Sequence, residues 1–247
     1  MEKLKIMIIA REEEKKHEIE DKIKKRTELE IVENILDWKK ADVVITYGGD
    51  GSFLYAERKF PGIPKLIVRH NSVCNKCVEE DLEVILNHLV SKNYRVEEYE
   101  KVEDSVKREN NVIKRTGTND VVISNRFPYR ALRFNVCVCD KDEKSKKKFD
   151  KELIGDGLVV SSVFGSSGYF FSITKKKFDK GIGVAFNNIH SPLEENLLFL
   201  NEEVIKVEIK RSDAYLSADN NPAMVILKPG DIVEIKKSGK KARVVLF

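Results

Sequence analysis

Apolar runs alternating with charged stretches set the first hundred residues apart from the rest. Residues 3–10 form a compact run rich in Ile, and the charged stretch 11–25 follows, which predicts a strand and then a solvent-exposed helix. A second unit of the same kind comes next. Residues 41–47 predict a buried strand that runs into Gly48-Gly49-Asp50-Gly51-Ser52, with a helix expected over 53–59. Residues 65–69 read as another strand, and 82–90 as a helix with Leu82, Ile85, Leu86 and Leu89 on its apolar face. Strands alternating with helices imply a parallel sheet, so residues 1–104 are expected to form an α/β domain of Rossmann-like character. From about Tyr99 the texture changes. Short β-rich runs at 120–124, 131–139, 158–163 and 204–209 are separated by polar turns, and Lys228-Pro229-Gly230-Asp231 is expected to turn the chain into a strand at 232–236. Residues 105–247 therefore predict a mostly antiparallel β domain. The lysine-rich stretch 140–151 reads as a solvated hairpin tip, and no internal repeat is visible.

Composition narrows the function. The 247 residues are 41% hydrophobic and 35% charged, which excludes a disordered or collagen-like chain. A net charge of +4, with basic and acidic residues interleaved, argues against a nucleic-acid binder. The apolar runs fall far short of the roughly 20 residues that span a bilayer, and the charged start does not read as a secretory signal. The expectation is a cytoplasmic protein with no membrane partner. The absence of Gln, with abundant Lys, Glu, Ile and Val, is a pattern of proteins built for high temperature.

Four segments carry residues suited to chemistry. Gly48 to Ser52 sits where a strand ends, so its glycines let backbone approach phosphate oxygens and Asp50 places a carboxylate at the mouth of a crevice; the plainer alternative is a tight capped turn. The stretch lacks the Gly-Lys-Ser/Thr ending of a P-loop and the spacing of the dinucleotide fingerprint. The second segment runs from Gly155-Asp156-Gly157 along a strand into Phe164-Gly165-Ser166-Ser167-Gly168-Tyr169, whose hydroxyls and bare amides are suited to ribose and phosphate, or simply to a turn. Asn119-Asp120 and Ser217-Ala218-Asp219-Asn220 are the third and fourth, each a common turn sequence when taken alone. Cys74, Cys77, Cys137 and Cys139 allow a four-thiolate zinc site on paper, but two small buried hydrophobes and two loop thiols is the favoured reading. His17, His70, His88 and His190 show no metal-ligand spacing, and no metal site is expected in the protein itself.

Taken together and in this order, the four segments resemble the NAD kinase family over about residues 41–244. That family has a Gly-Gly-Asp-Gly-Thr element, an Asn-Glu pair, an Asp-Gly strand entering a Thr-Gly-Ser-Thr-Ala-Tyr loop, and a late Asp-Gly. The resemblance implies transfer of the ATP γ-phosphoryl group, with Mg²⁺, to the 2′-hydroxyl of the adenosine ribose of NAD. By position it makes Asp50 the catalytic base, with Gly49, Gly51 and Ser52 completing the phosphate-side loop. Asn119 and Asp120 would grip a ribose and base of the dinucleotide, and Asp156 would bind across a subunit or domain crevice. Ser167, Gly168, Tyr169 and Ser172 would line the substrate pocket, and Asp219 would take the place of the late aspartate, also as a substrate-binding residue. The implied fold is an α/β domain plus a β-sandwich domain, with the last segment returning to the first, assembled as a homodimer or homotetramer.

The sequence departs from that pattern in several places. Asp120 stands for Glu, Val163-Phe164 for Pro and a hydroxyl residue, Ser167 for Thr, Gly168 for Ala, and Asn220 for the late Gly. Residues 66–77 contain no glycine where relatives carry one. These departures motivate two alternatives: a non-catalytic nucleotide-binding or regulatory homologue, and a kinase of the same motif acting on another hydroxyl. Phe164 is expected either to stack on a base or to narrow the pocket.

Overall fold

The computed structural model describes residues 2–68, 77–78, 80–108, 111–140, 148–190, 193 and 196–247. Residues 70 and 74, most of the glycine-free segment and the tip 141–147 lie outside the described residues. The chain divides into two compact units, one of Met1–Tyr99 with Ala242–Phe247 and the other of Glu100–Lys241.

The first unit is built on a parallel sheet. Strand β1 (Leu4–Ala10), helix α1 (Glu13–Lys24), strand β2 (Leu29–Ile31), strand β3 (Val43–Tyr47), helix α2 (Asp50–Lys59), strand β4 (Lys65–Val68) and helix α3 (Leu82–Val90) follow in order. The strands lie as β2-β1-β3-β4, all parallel. Residue Val244 pairs in parallel with Lys65 at the far edge. Both faces are covered: Ile19 and Ile23 of α1 pack with Ile85, Leu86 and Leu89 of α3 on Ile6, Ile8, Val43, Ile45 and Val245. Ala56 and Phe60 cover Met7 and Val44 on the other face. A 3₁₀ helix, Ile35–Lys40, whose start is fixed by Asn34 Oδ1 accepting from the Leu36 N–H, supplies Trp38 to that second cluster. Helices on both faces explain why these strands read as continuous apolar runs.

The second unit is almost entirely antiparallel. Strand β5 (Arg95–Arg108) enters it and forms a hairpin with β6 (Asn111–Gly117). Strands β7 (Asp120–Asn125), β8 (Leu132–Cys139), β9 (Phe149–Gly155) and β10 (Gly157–Ser162) follow, then helix α4 (Tyr169–Thr174), β11 (Ile182–Asn187), β12 (Leu197–Leu200), β13 (Val204–Arg211), β14 (Ala214–Ala218), β15 (Val225–Leu227) and β16 (Ile232–Leu246). One sheet runs β12-β11-β10-β7-β14-β15. Strands β9, β8, β13 and the first part of β16 pair in a second. Alternate residues of both sheets meet in one core, with Phe134, Val136, Ile205 and Ile235 from one and Ile123, Leu158, Val184 and Leu216 from the other. No helix among the described residues is long and apolar enough to cross a membrane.

Two expectations are corrected in detail. Helix α2 starts at Asp50 rather than at 53, because the Gly49 carbonyl already accepts the Ser52 N–H at 3.0 Å. The segment expected to be a Gly/Ser loop is instead a 3₁₀ turn, Phe164–Ser167, leading into α4. The α4 turn is held by Phe170, which is fully buried with its ring 5.1 Å from that of Phe178.

Candidate active site

In the first unit the strand order reverses between β1 and β3, and in open parallel sheets ligands settle outside the carboxyl ends of strands at such a point. A cavity of about 330 Å³ lies there, lined by Arg11, Glu12, Tyr47, Gly48, Gly49, Gly51 and Ser52. Gly48 adopts a φ of +145°, and a Cβ placed on it would lie 2.4 Å from Ser52 Oγ, so glycine is required where β3 turns into α2. The Gly48 N–H donates to the Val68 carbonyl at 3.1 Å, which ties this turn to the end of β4. Asp50 is then the exposed first residue of α2, at the positive end of its helix. Sequence reasoning missed Arg11 and Tyr47. The available signal was position, since each directly follows or closes the apolar run of a strand.

In the second unit three segments far apart in sequence converge. Asp219, in a left-handed conformation with φ 51°, accepts from the backbone N–H groups of Thr118 at 2.8 Å, Asn119 at 2.7 Å and Asp120 at 3.3 Å. Its own N–H donates to the Asp120 carbonyl at 2.9 Å. From the opposite side the Ser162 N–H and the Ser161 hydroxyl donate to the Asn119 carbonyl. Ser162 Oγ donates to the Thr118 carbonyl and accepts the Gly165 N–H. Gly165 lies so close that a Cβ there would come within 2.2 Å of the Asn119 carbonyl oxygen. The backbone of 118–120 is thus clamped from both sides. Among the described residues the Asn119 and Asp120 side chains have no hydrogen-bond partner.

Asp120 is 8% exposed. Burial, and then the charge of Asp219, push its carboxyl up to about 7. Burial also raises Asp219, opposed by its three backbone N–H bonds and the charge of Lys101.

Asp156, Tyr169 and Ser172 belong to a second grouping in this unit. Asp156 accepts from the side-chain amides of Asn125 at 3.2 Å and Asn188 at 2.9 Å. Asn188 also lines a cavity of about 630 Å³ with Tyr169, Ser172, Asn187 and His190, and Asn187 Nδ2 donates to the Tyr169 hydroxyl at 3.2 Å. Ser167 and Gly168 lie on the turn between the two groupings, their N–H and C=O groups partly used to start α4. Ser172 Oγ is occupied by the Tyr169 carbonyl at 2.7 Å. Phe164 is only 4% exposed, so it offers no open face for a base to stack on.

No family model matches the chain. Curated relatives are more informative. The chain is 27% identical over 215 residues to an NAD kinase of Natranaerobius thermophilus, covering 83% of this chain and 72% of that one. It is 26% identical over 217 residues to an NAD kinase of Thermomicrobium roseum, covering 85% and 72%. Over more than four fifths of its length the chain is similar to members of the NAD kinase family. Solved structures of that family share its fold at lower identity. A yeast NADH kinase complexed with NADH superposes with a TM-score of 0.84 at 14% identity, over 100% of this chain and 84% of that one. An Archaeoglobus fulgidus NAD kinase in complex with ATP gives 0.76 at 20% identity, over 97% and 92%. The NAD kinase fold is an α/β domain with a β-rich one, as in the two units here. Among the described residues the cysteines form no four-thiolate group: Cys77 is disulfide-bonded rather than the loop thiol expected, while Cys137 and Cys139 are free on β8.

Proposed function

We propose that this chain is an NAD kinase that transfers the γ-phosphoryl group of ATP to the 2′-hydroxyl of the adenosine ribose of NAD. The observation that carries the reading is the clamped turn at 118–120. It gathers the Asn-Asp pair, the Ser/Gly turn and the late aspartate into one hydrogen-bonded unit and leaves two polar side chains available. Similarity to NAD kinases supplies the substrate.

The ribose oxygen attacks the γ-phosphorus, the bond from that phosphorus to the β,γ-bridging oxygen breaks, and ADP leaves with the electron pair. Asp50 takes the hydroxyl proton, a service worth about 10²- to 10⁴-fold for such a base. Gly49, Gly51 and Ser52 present the phosphate-side turn, and Arg11 is the cation lining the same cavity. In the β unit Asn119 and Asp120 hold ribose and base, and Asp156, Ser167, Gly168, Tyr169 and Ser172 are its further substrate-binding residues. The Rossmann-like and β-sandwich descriptions of the two units belong to this reading. Mg²⁺ carried with the triphosphate would supply charge neutralisation at the transferring group. The reading also carries a cytoplasmic setting and a homodimeric or homotetrameric assembly, the latter checked by light scattering of the purified protein.

Incubation of the pure protein with ATP, Mg²⁺ and NAD, followed by a coupled NADP assay, tests the activity. NADP formation is expected. Binding of NAD without product would point to the non-catalytic homologue, and turnover only with other alcohols would point to a different acceptor.

A further inference from the structure

Late in the sequence, Asp219 sits about a hundred residues from the pair it touches, and each hydrogen bond its carboxylate accepts comes from backbone. Oδ2 takes the Thr118 N–H, and Oδ1 takes those of Asn119 and Asp120. A carboxylate that accepts two or three backbone N–H groups makes strong, charge-assisted bonds, and these fix the direction in which the following side chains leave the chain. The return bond from the Asp219 N–H to the Asp120 carbonyl closes the arrangement. Burial raises the Asp219 carboxyl and those bonds oppose it in part, so its oxygens are engaged within the fold.

We infer that Asp219 is a positioning residue for dinucleotide binding: it does not touch substrate but orients Asn119 and Asp120 by clamping their backbone N–H groups. The inference rests on the NAD kinase reading for the identity of the ligand, and on the hydrogen bonds alone for the clamp. It departs from the expectation that the late aspartate lines the pocket itself.

Asp219→Asn keeps the size of the side chain, and Asn tolerates the left-handed backbone, but the variant puts an NH₂ group where one N–H acceptor stood. NAD affinity by calorimetry and KM for NAD are expected to weaken about tenfold, the scale of one lost charge-assisted bond, while KM for ATP and kcat change less than twofold. Amide hydrogen exchange at 118–120 is expected to accelerate. In an Asn119→Ala background the same substitution should add less than twofold, because its effect passes through the pair. Should Asp219→Asn fail to fold, Asp219→Gly, which accepts the same backbone, gives the same readings. Unchanged exchange at 118–120, unchanged NAD affinity in a folded variant, or a fully additive effect with Asn119→Ala each overturn the inference. A parent that binds NAD without making NADP overturns the kinase reading alone; one that binds no NAD overturns both.

Discussion

The two candidate binding elements are made in opposite ways. In the α/β unit the turn Gly48–Ser52 is contiguous in sequence, fixed by one glycine conformation, and ends in an exposed carboxylate. In the β unit the turn 118–120 is assembled from β7, the segment after β10 and the residue after β14, with Asp120 buried and Asp219 half-buried. A contiguous turn can lose a functional side chain without losing its shape, whereas an assembled one ties shape and function together. Substitution should therefore separate activity from stability in the first unit and couple them in the second.

The largest effect tests the first half of that statement. Asp50→Ala is expected to lower kcat by about 10²- to 10⁴-fold in the NADP assay while the thermal melt stays nearly where it was. A variant as active as the parent would remove Asp50 from the base role. Next comes Asp120→Asn. The Asp120 carboxyl titrates at about 7 in the folded protein against 3.8 in its unperturbed state, so the folded form keeps a proton that the unfolded chain releases. Stability is lost as pH rises from about 4 to about 7 and stays lost above that. Asp120→Asn removes this penalty: denaturant titration at pH 8 should find the variant more stable by up to about 4 kcal/mol, with the gain shrinking to nothing by pH 4, even as NAD binding weakens. Gly165→Ala forces a methyl against the Asn119 carbonyl; a loss of about 1–3 kcal/mol in stability together with weaker NAD binding is expected. The smallest effect belongs to an ordinary cap in the first unit. Asp81 Oδ1 accepts the Glu83 N–H at the start of α3, and Asp81→Ala should cost about 1 kcal/mol of stability with turnover unchanged.

The sequence made the parallel sheet legible because strands covered on both faces become uninterrupted apolar runs, and β1, β3 and β4 are such runs. It made the turn at Gly48 legible for the same reason that turn is contiguous. Strand β5 was not legible: its fourteen residues are mostly charged, and only Lys101, Val102, Asp104 and Val106 are buried. Helix α4 was hidden because Tyr169–Thr174 is too short and too apolar to show a period, and its helicity comes from Phe170 seated against Gly183 and Phe178. The four motifs were visible one by one, but the grip of Asp219 on residues 118–120 is a tertiary fact that no local pattern carries. Arg11 looked like the start of a charged helix, and only the strand order shows that it borders the cavity.

Val244 beside Lys65 and the fully covered Val245 give the first unit an unusual birth order. Translation delivers Met1–Tyr99 first, yet the segment that seals the edge of β4 emerges only after all of Glu100–Lys241 has been made. A ribosome paused within that long intervening stretch therefore holds an α/β layer whose β4 flank is unsealed until Ala242–Phe247 appears.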